Sequence, residues 1–196
     1  MTVPVWTYWA GPMPGWIELC LATHRRYVSD LTVHTPETWK DERLAGLPHN
    51  VVSDYLRAAM LYEHGGIWID ADAIVLRDLQ PIAKRLQRNE FVAYRVGRPS
   101  PQLCSALIAA RPKTEAMRHY LHLMDRQLES GEKIRALSWG PHLLRRALRE
   151  TNTRPAMIPT SRVHPIHWRN KKRIQTGQPI NVDPNAYCVM LTHRML

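Results

Sequence analysis

Apolar positions along the chain fall into short extended runs and longer amphipathic ones. VPVWTY, residues Val3 to Tyr8, is β-branched and aromatic and predicts a first strand, with AGPMPG as the loop after it. Trp16, Ile17, Cys20, Leu21 and Tyr27 recur at helical spacing and predict a helix ending near Tyr27. LTVHT, Leu31 to Thr35, reads as a second strand. The clearest helix is LPHNVVSDYLRAAMLYEHGG, where Val52, Tyr55, Leu56, Ala59, Met60 and Glu63 mark the turns. Asn50 or Ser53 is placed to cap its start, and Gly65 supplies the stop. IWID predicts a short buried strand from which AIVLRDL leads away, and FVAYRV (Phe91 to Val96) predicts another. Two helical stretches are expected next, around Gln102 to Ala110 and Glu115 to Leu128. A further helix is expected in SWGPHLLRRALRE, entered through Gly140 and Pro141. VHPIHWRNKKRIQTGQP reads as loop, and AYCVML, Ala186 to Leu191, as a last strand.

Strands that alternate with helices at the start of a chain predict a parallel sheet covered by helices, an α/β fold. The length of 196 residues suits one domain, and no repeat or linker interrupts it. No N-terminal stretch joins basic residues to an apolar run, and no run is long enough to span a bilayer. Cys20, Cys104 and Cys188 are far apart, which speaks against a zinc knuckle or disulfide framework and fits a reducing cytoplasm. The charge changes the picture more. Lys and Arg number 27 against 17 Asp and Glu, a net of +10. Such a balance points to an acidic partner: nucleic acid, an anionic membrane surface or a phosphorylated small molecule.

Chemistry concentrates where the IWI strand runs out. Side chains two apart on a strand share a face, so Asp70 and Asp72 are expected to project together. Adjacent carboxylates repel, and a hard cation such as Mg²⁺ or Mn²⁺, bridging to substrate phosphates, relieves that repulsion. Ligands of open α/β sheets bind beyond the carboxyl ends of the strands, where this pair lies. Upstream, Asp54 and Arg57 are three apart on one helix face. They either pair with each other at the surface or point into a polar sugar site.

SDYLRAAMLYEHGGIWIDAD resembles the core signature of DXD-type glycosyltransferases of the GT-A fold, specifically glycosyltransferase family 32 and the related glucosylating toxins. VWTYWAGPMP resembles that family's opening strand; SWGP and the region of His193 are weaker echoes. The resemblance implies a single GT-A-type, Rossmann-like α/β domain with a mostly parallel central sheet flanked by helices. Residues 1–80 would form the nucleotide-sugar and metal half and 81–196 the acceptor-side half. It implies that Trp9 stacks on the base with Thr7 beside the nucleotide, and that Asp54 and Arg57 hold the donor sugar. It further implies that Asp70 contacts ribose or sugar, that Asp72 ligates the metal with Asp70, and that His193 completes that site. Trp139 and Gly140 would border the acceptor. The implied activity is metal-dependent, retaining transfer of a hexose from a nucleotide-sugar, a UDP-hexose above all, to a hydroxyl.

Two other classes share parts of this pattern. A strand ending in DxD also opens haloacid-dehalogenase-type phosphatases, but those need a downstream lysine and acidic cluster, and Asp78, Asp125 and Asp183 stand singly. A non-enzymatic nucleic-acid-binding module leaves Asp54, Asp70 and Asp72 without a role, since acidic clusters weaken phosphate binding. His119 with His122, and His164 with His167, lack a cysteine or carboxylate at zinc spacing and read as surface histidines. For the acceptor, WRNKKRIQ gathers Arg169, Lys171, Lys172 and Arg173 beside Trp168, a composition suited to a polyanion. The acceptor expected on that basis is a hydroxymethylated base in DNA, with a surface glycan or lipid-linked saccharide as the alternative.

Overall fold

The computed structural model describes residues 2–97, 101–134, 138–166, 176, 178 and 181–191. Strands β1 (Val5–Tyr8), β2 (Leu31–His34), β3 (Gly66–Ile69), β5 (Phe91–Val96), β6 (Gln102–Ala110) and β7 (Ala156–Met157) form one sheet. Their order is β2-β1-β3-β6-β5-β7. β1 pairs in parallel with β2 and β3, and β5 with β7, whereas β6 is antiparallel to both neighbours. Five of the six strands therefore point the same way, and the sheet is mostly parallel with one reversed strand inside it. The first strand, the first two helices and β2 form where the apolar spacing places them: α1 is Gly15–Tyr27 and α2 is His49–Glu63.

Helices α2, α4 (Glu115–Glu129) and α5 (Leu144–Glu150) cover one face of the sheet around Trp68, Phe91 and Ile108. On the other face Ile67, Ile69, Val92 and Leu107 pack with α3 (Gln80–Lys84), α6 (Thr160–Val163) and a small second sheet. That second sheet is β4 (Ala73–Val75) paired antiparallel with β8 (Cys188–Met190), so the last strand does not join the central sheet. Alternation along β3, with Trp68 to one layer and Ile67 and Ile69 to the other, is what a strand buried on both faces requires.

One element is corrected. Gln102–Ala110 is a strand, not a helix. Flanked by β3 and β5, it alternates in burial as far as Ala106 and is covered on both faces from Leu107 to Ala110, and the residue types along LCSALIAA show no polar–apolar alternation to separate a strand from a buried helix. The capping expectation for α2 is also corrected. Pro48 precedes the helix, no side chain caps it, and Asn50 and Ser53 lie inside its first turns.

The double glycine sets how closely α2 and β3 pack against the chain around them. Gly65 has φ +66° and Gly66 φ +99°, backbone that side chains rarely adopt. A Cβ at Gly66 would sit 2.2 Å from the carbonyl oxygen of Pro4, and one at Gly65 2.6 Å from Pro112 Cδ. Only glycine lets the chain leave α2 and slip between these prolines into β3.

Candidate active site

Beyond the ends of β1 and β3 lies a cavity of about 390 Å³. Tyr8, Trp9 and Trp16 supply its aromatic wall, Asn50, Ser53, Asp54 and Arg57 come from α2, and Asp70 and Asp72 from beyond β3. Asn50 and Ser53 thus face the cavity, and the uncapped first turn of α2 opens towards it. Ser105 and Pro141 close the far side.

Asp70 and Asp72 do share a site, but not for the strand-alternation reason. β3 ends at Ile69, and Asp70-Ala71-Asp72 is a turn in which Ala73 N–H donates to Asp70 O at 3.2 Å. The turn is fastened on both sides: Asp70 N–H donates to Ala106 O at 2.8 Å, and Leu191 N–H donates to Asp72 O at 3.0 Å.

One guanidinium organises the acids. Arg57 donates to Asp54 through Nη1 and to Asp70 Oδ1 through Nη2 at 2.8 Å. Trp68 Nε1–H donates to the same Asp70 oxygen at 2.7 Å, and the Arg57 guanidinium lies 5.0 Å from the centre of the Trp68 ring. Arg57 is fully buried, and burial alone would lower its proton affinity, but the carboxylates of Asp70 and Asp54 outweigh it and hold the charge firmly. Burial pushes the Asp54 carboxyl up, and Arg57 partly restores it. Tyr120, also buried, donates its hydroxyl to Trp139 O at 2.6 Å, fixing the segment that leans on Asp54.

Asp72 is different. Burial first, and then the neighbouring charge of Asp70, raise its carboxyl to about 8. Among the described residues no side chain donates to this carboxylate, although it lines the cavity. A hard oxygen donor held beside a like charge, with no side-chain donor among the described residues opposite it, is a carboxylate that fits a divalent cation. The described residues bring no third His, Cys, Asp or Glu to the pair. His193 lies outside the described residues, as do His167, Trp168, Arg169, Lys171, Lys172 and Arg173.

Three expected contacts are relocated. Thr7 is fully buried within β1 and does not line the cavity, because alternation turns it away from the face of Tyr8. Trp139 is likewise fully buried, its Nε1–H bonded to Gln127 Oε1, so it is a core residue rather than an acceptor contact. Gly140 sits behind the site: a Cβ there would lie 3.2 Å from both carboxylate oxygens of Asp54 and 3.3 Å from Ser105 Oγ. It belongs to a kinked turn, Ser138–Leu143, whose departure from helical backbone at Gly140 brings Pro141 to the cavity. Trp9 does line the cavity, with Trp16 beside it. Away from the cavity, His119 pairs with Glu150 at 2.7 Å.

Sequence reasoning missed Trp68, Trp16 and Ser105. Trp68 is two residues before Asp70, a spacing that could have suggested the contact. Trp16 read as helix core, and Ser105 was hidden by the mistaken helix.

Residues 13–90 match the family described as glycosyltransferase sugar-binding region containing DXD motif. No curated protein matches the chain. Among solved structures, the PaToxG glycosyltransferase is similar over 76% of this chain and 69% of its own, at 17% identity and a TM-score of 0.57. The apo form of the glycosyltransferase GlyE from Streptococcus pneumoniae TIGR4 aligns over 98% of this chain at 13% identity and a TM-score of 0.60. The chain spans only 55% of GlyE's length. Galactosyltransferase LgtC, in complex with donor and acceptor sugar analogs, aligns over 97% of this chain and 87% of its own, at 11% identity and a TM-score of 0.54. At these identities the likeness establishes the fold, and the matched region contains Asp54, Arg57, Asp70 and Asp72. A sugar-binding DXD region set in a GT-A fold makes this chain a glycosyltransferase.

Proposed function

We propose that the protein transfers a hexose from a nucleotide-sugar, a UDP-hexose in the first instance, to a hydroxyl acceptor, with a divalent metal and with retention of anomeric configuration. The observation that carries this reading is Arg57 locked between Asp54 and Asp70 on the wall of a cavity that also holds Asp72. Residues 1–80 supply most of the lining and would take the donor; 81–196 add Ser105 and Pro141 and would face the acceptor.

Each side chain has a task set by its surroundings. The ring of Trp9 offers a flat apolar face for a base. Asp54, already neutralised on one side by Arg57, accepts hydrogen bonds from sugar hydroxyls without leaving a bare buried charge. The open first turn of α2 presents the positive end of a helix to the diphosphate. Asp72 and Asp70 would hold Mn²⁺ or Mg²⁺, which when bound supplies a Lewis acid against the charge of the departing diphosphate. Arg57 fixes Asp70 so that this charge meets an environment already arranged for it. Retention rests on the family resemblance.

The test is mass spectrometry of acceptors after incubation with a panel of nucleotide-sugars, with Mn²⁺ and with chelator. Metal-dependent transfer or donor hydrolysis, lost in Asp72→Asn, is expected. Turnover by Asp72→Asn at the parent rate would end the reading. The net charge of +10 supports a second reading of the acceptor, DNA carrying hydroxymethylated bases. There, Lys171→Ala with Lys172→Ala would reduce transfer to DNA and leave donor hydrolysis intact. Duplex binding that does not weaken with salt would count against it.

A further inference from the structure

Four large hydrophobic side chains stand exposed among the described residues, and two of them, Met13 (47% exposed) and Leu19 (70% exposed), lie three residues before and three residues after Trp16 in the chain. Between them Trp16, half-buried, lines the cavity itself. Pro12 and Pro14 are exposed as well, so the surface from Gly11 to Leu19 is apolar apart from Glu18. Packing within the protein does not explain it: α1 buries Ile17, Cys20, Leu21 and His24, which leaves Leu19 on the opposite face. The same outward face continues to Ala22 and, seven residues on from Leu19, to Arg26, with Arg25 next to it. All three are exposed, and among the described residues neither arginine pairs with a carboxylate. Apolar side chains at one end of a helix and unneutralised arginines at the other, on a chain of net charge +10, complement an anionic bilayer surface.

We propose that the rim Met13–Trp16–Leu19, backed by Arg25 and Arg26, seats the enzyme on an anionic membrane, with the cavity mouth at the headgroup level. This rests on the glycosyltransferase reading and narrows it: the acceptor reaches the cavity from the membrane surface, as a saccharide carried on a lipid. Met13 and Leu19 enter the interface as side chains, while the arginines sit among phosphate headgroups. No helix among the described residues is long and apolar enough to cross a membrane.

Co-sedimentation of the whole chain with phosphatidylcholine vesicles, with and without phosphatidylglycerol, tests this in the absence of donor and metal. Binding to phosphatidylglycerol vesicles should exceed binding to phosphatidylcholine alone on the order of tenfold, and should fall with salt. Met13→Glu with Leu19→Glu should reduce it by a similar factor, with melting temperature and nucleotide-sugar hydrolysis in solution unchanged. Arg25→Gln with Arg26→Gln should weaken binding and flatten its salt dependence. Absence of vesicle binding, or binding indifferent to both pairs of substitutions, overturns the proposal. So does salt-sensitive duplex DNA binding without vesicle binding, which would favour the nucleic-acid acceptor. Because donor hydrolysis is read separately, failure at the membrane leaves the transferase reading standing, and failure of hydrolysis leaves the vesicle result standing.

Discussion

Arg57 Nη2 meets Asp70 Oδ1 at 2.8 Å while Nη1 of the same guanidinium holds Asp54, so one buried cation binds acids from a helix and from the turn after a strand. Only a planar fork reaches both at once. Arg57→Ala leaves Asp54 charged and buried without its partner, and thermal or urea unfolding should show a loss of about 3–5 kcal/mol. Arg57→Lys keeps the charge and recovers part of that loss. Activity should stay well below the parent, since a point charge satisfies one acid and releases the other.

Asp72 has the opposite energetics. Its carboxyl, ordinarily near 3.8, rises to about 8 through burial and the charge of Asp70. The folded protein therefore keeps a proton that the unfolded chain gives up near pH 4. In metal-free buffer, stability attributable to this group falls as pH rises from about 4 to about 8. At pH 8, Asp72→Asn should melt higher than the parent by about 4 °C or more, while losing about a hundredfold or more in transfer. Mn²⁺ should stabilise the parent and leave the variant unmoved. A variant that is both inactive and less stable would show that Asp72 is structural.

His24 titrates in the acid range with the other sign. Buried in α1, it donates from Nε2 to Ala73 O at 2.8 Å, and burial lowers its pKa to about 4 despite that bond. The unfolded chain takes up a proton near 6.5, so stability is complete above that pH and is lost as pH falls from 6.5 through 4. The loss approaches about 3 kcal/mol at 1.36 kcal/mol per unit. Urea unfolding at pH 7.5 and 4.5 reads it, and His24→Gln, which keeps a donor for Ala73, should flatten the dependence.

Gly140 separates packing from catalysis. A methyl group there meets both oxygens of Asp54 and Ser105 Oγ at 3.2–3.3 Å, close enough to displace the carboxylate. Gly140→Ala should melt within a few degrees of the parent yet lose about tenfold to a hundredfold in kcat/KM, as a sub-ångström shift in a positioning group does. Gly66→Ala, with its Cβ 2.2 Å from Pro4 O, should instead cost more than about 3 kcal/mol or prevent folding. Gly131→Ala, at φ +66° with open space around it, is the control for backbone strain alone, at about 1 kcal/mol.

Local signals carried much of the fold and of the candidate site. α2 and its glycine stop were legible because period, breaker and double glycine agree, and the Asp54, Arg57, Asp70 and Asp72 cluster because its spacings are short. What escaped was non-local. β6 is buried on both faces from Leu107 onwards and its residue types show no polar–apolar alternation to mark a strand, and with it went Ser105. Trp139 looked like a site residue because SWGP resembles the family's pattern, whereas Tyr120 and Gln127 hold it in the core. The antiparallel pairing of β4 with β8 joins segments more than a hundred residues apart, beyond any local periodicity.

That pairing has a consequence for biosynthesis. The carbonyl of Asp72 is anchored by the amide of Leu191, and Ala73, next in the chain, is in register with Met190. On a ribosome the aspartate turn emerges well before its tether, and waits until more than a hundred further residues, up to Leu191, have been made. Through that interval the nascent protein has its helix α2 and its acids but not the bond that pins the Asp72 backbone, so under the proposed function cation binding would be completed late and all at once.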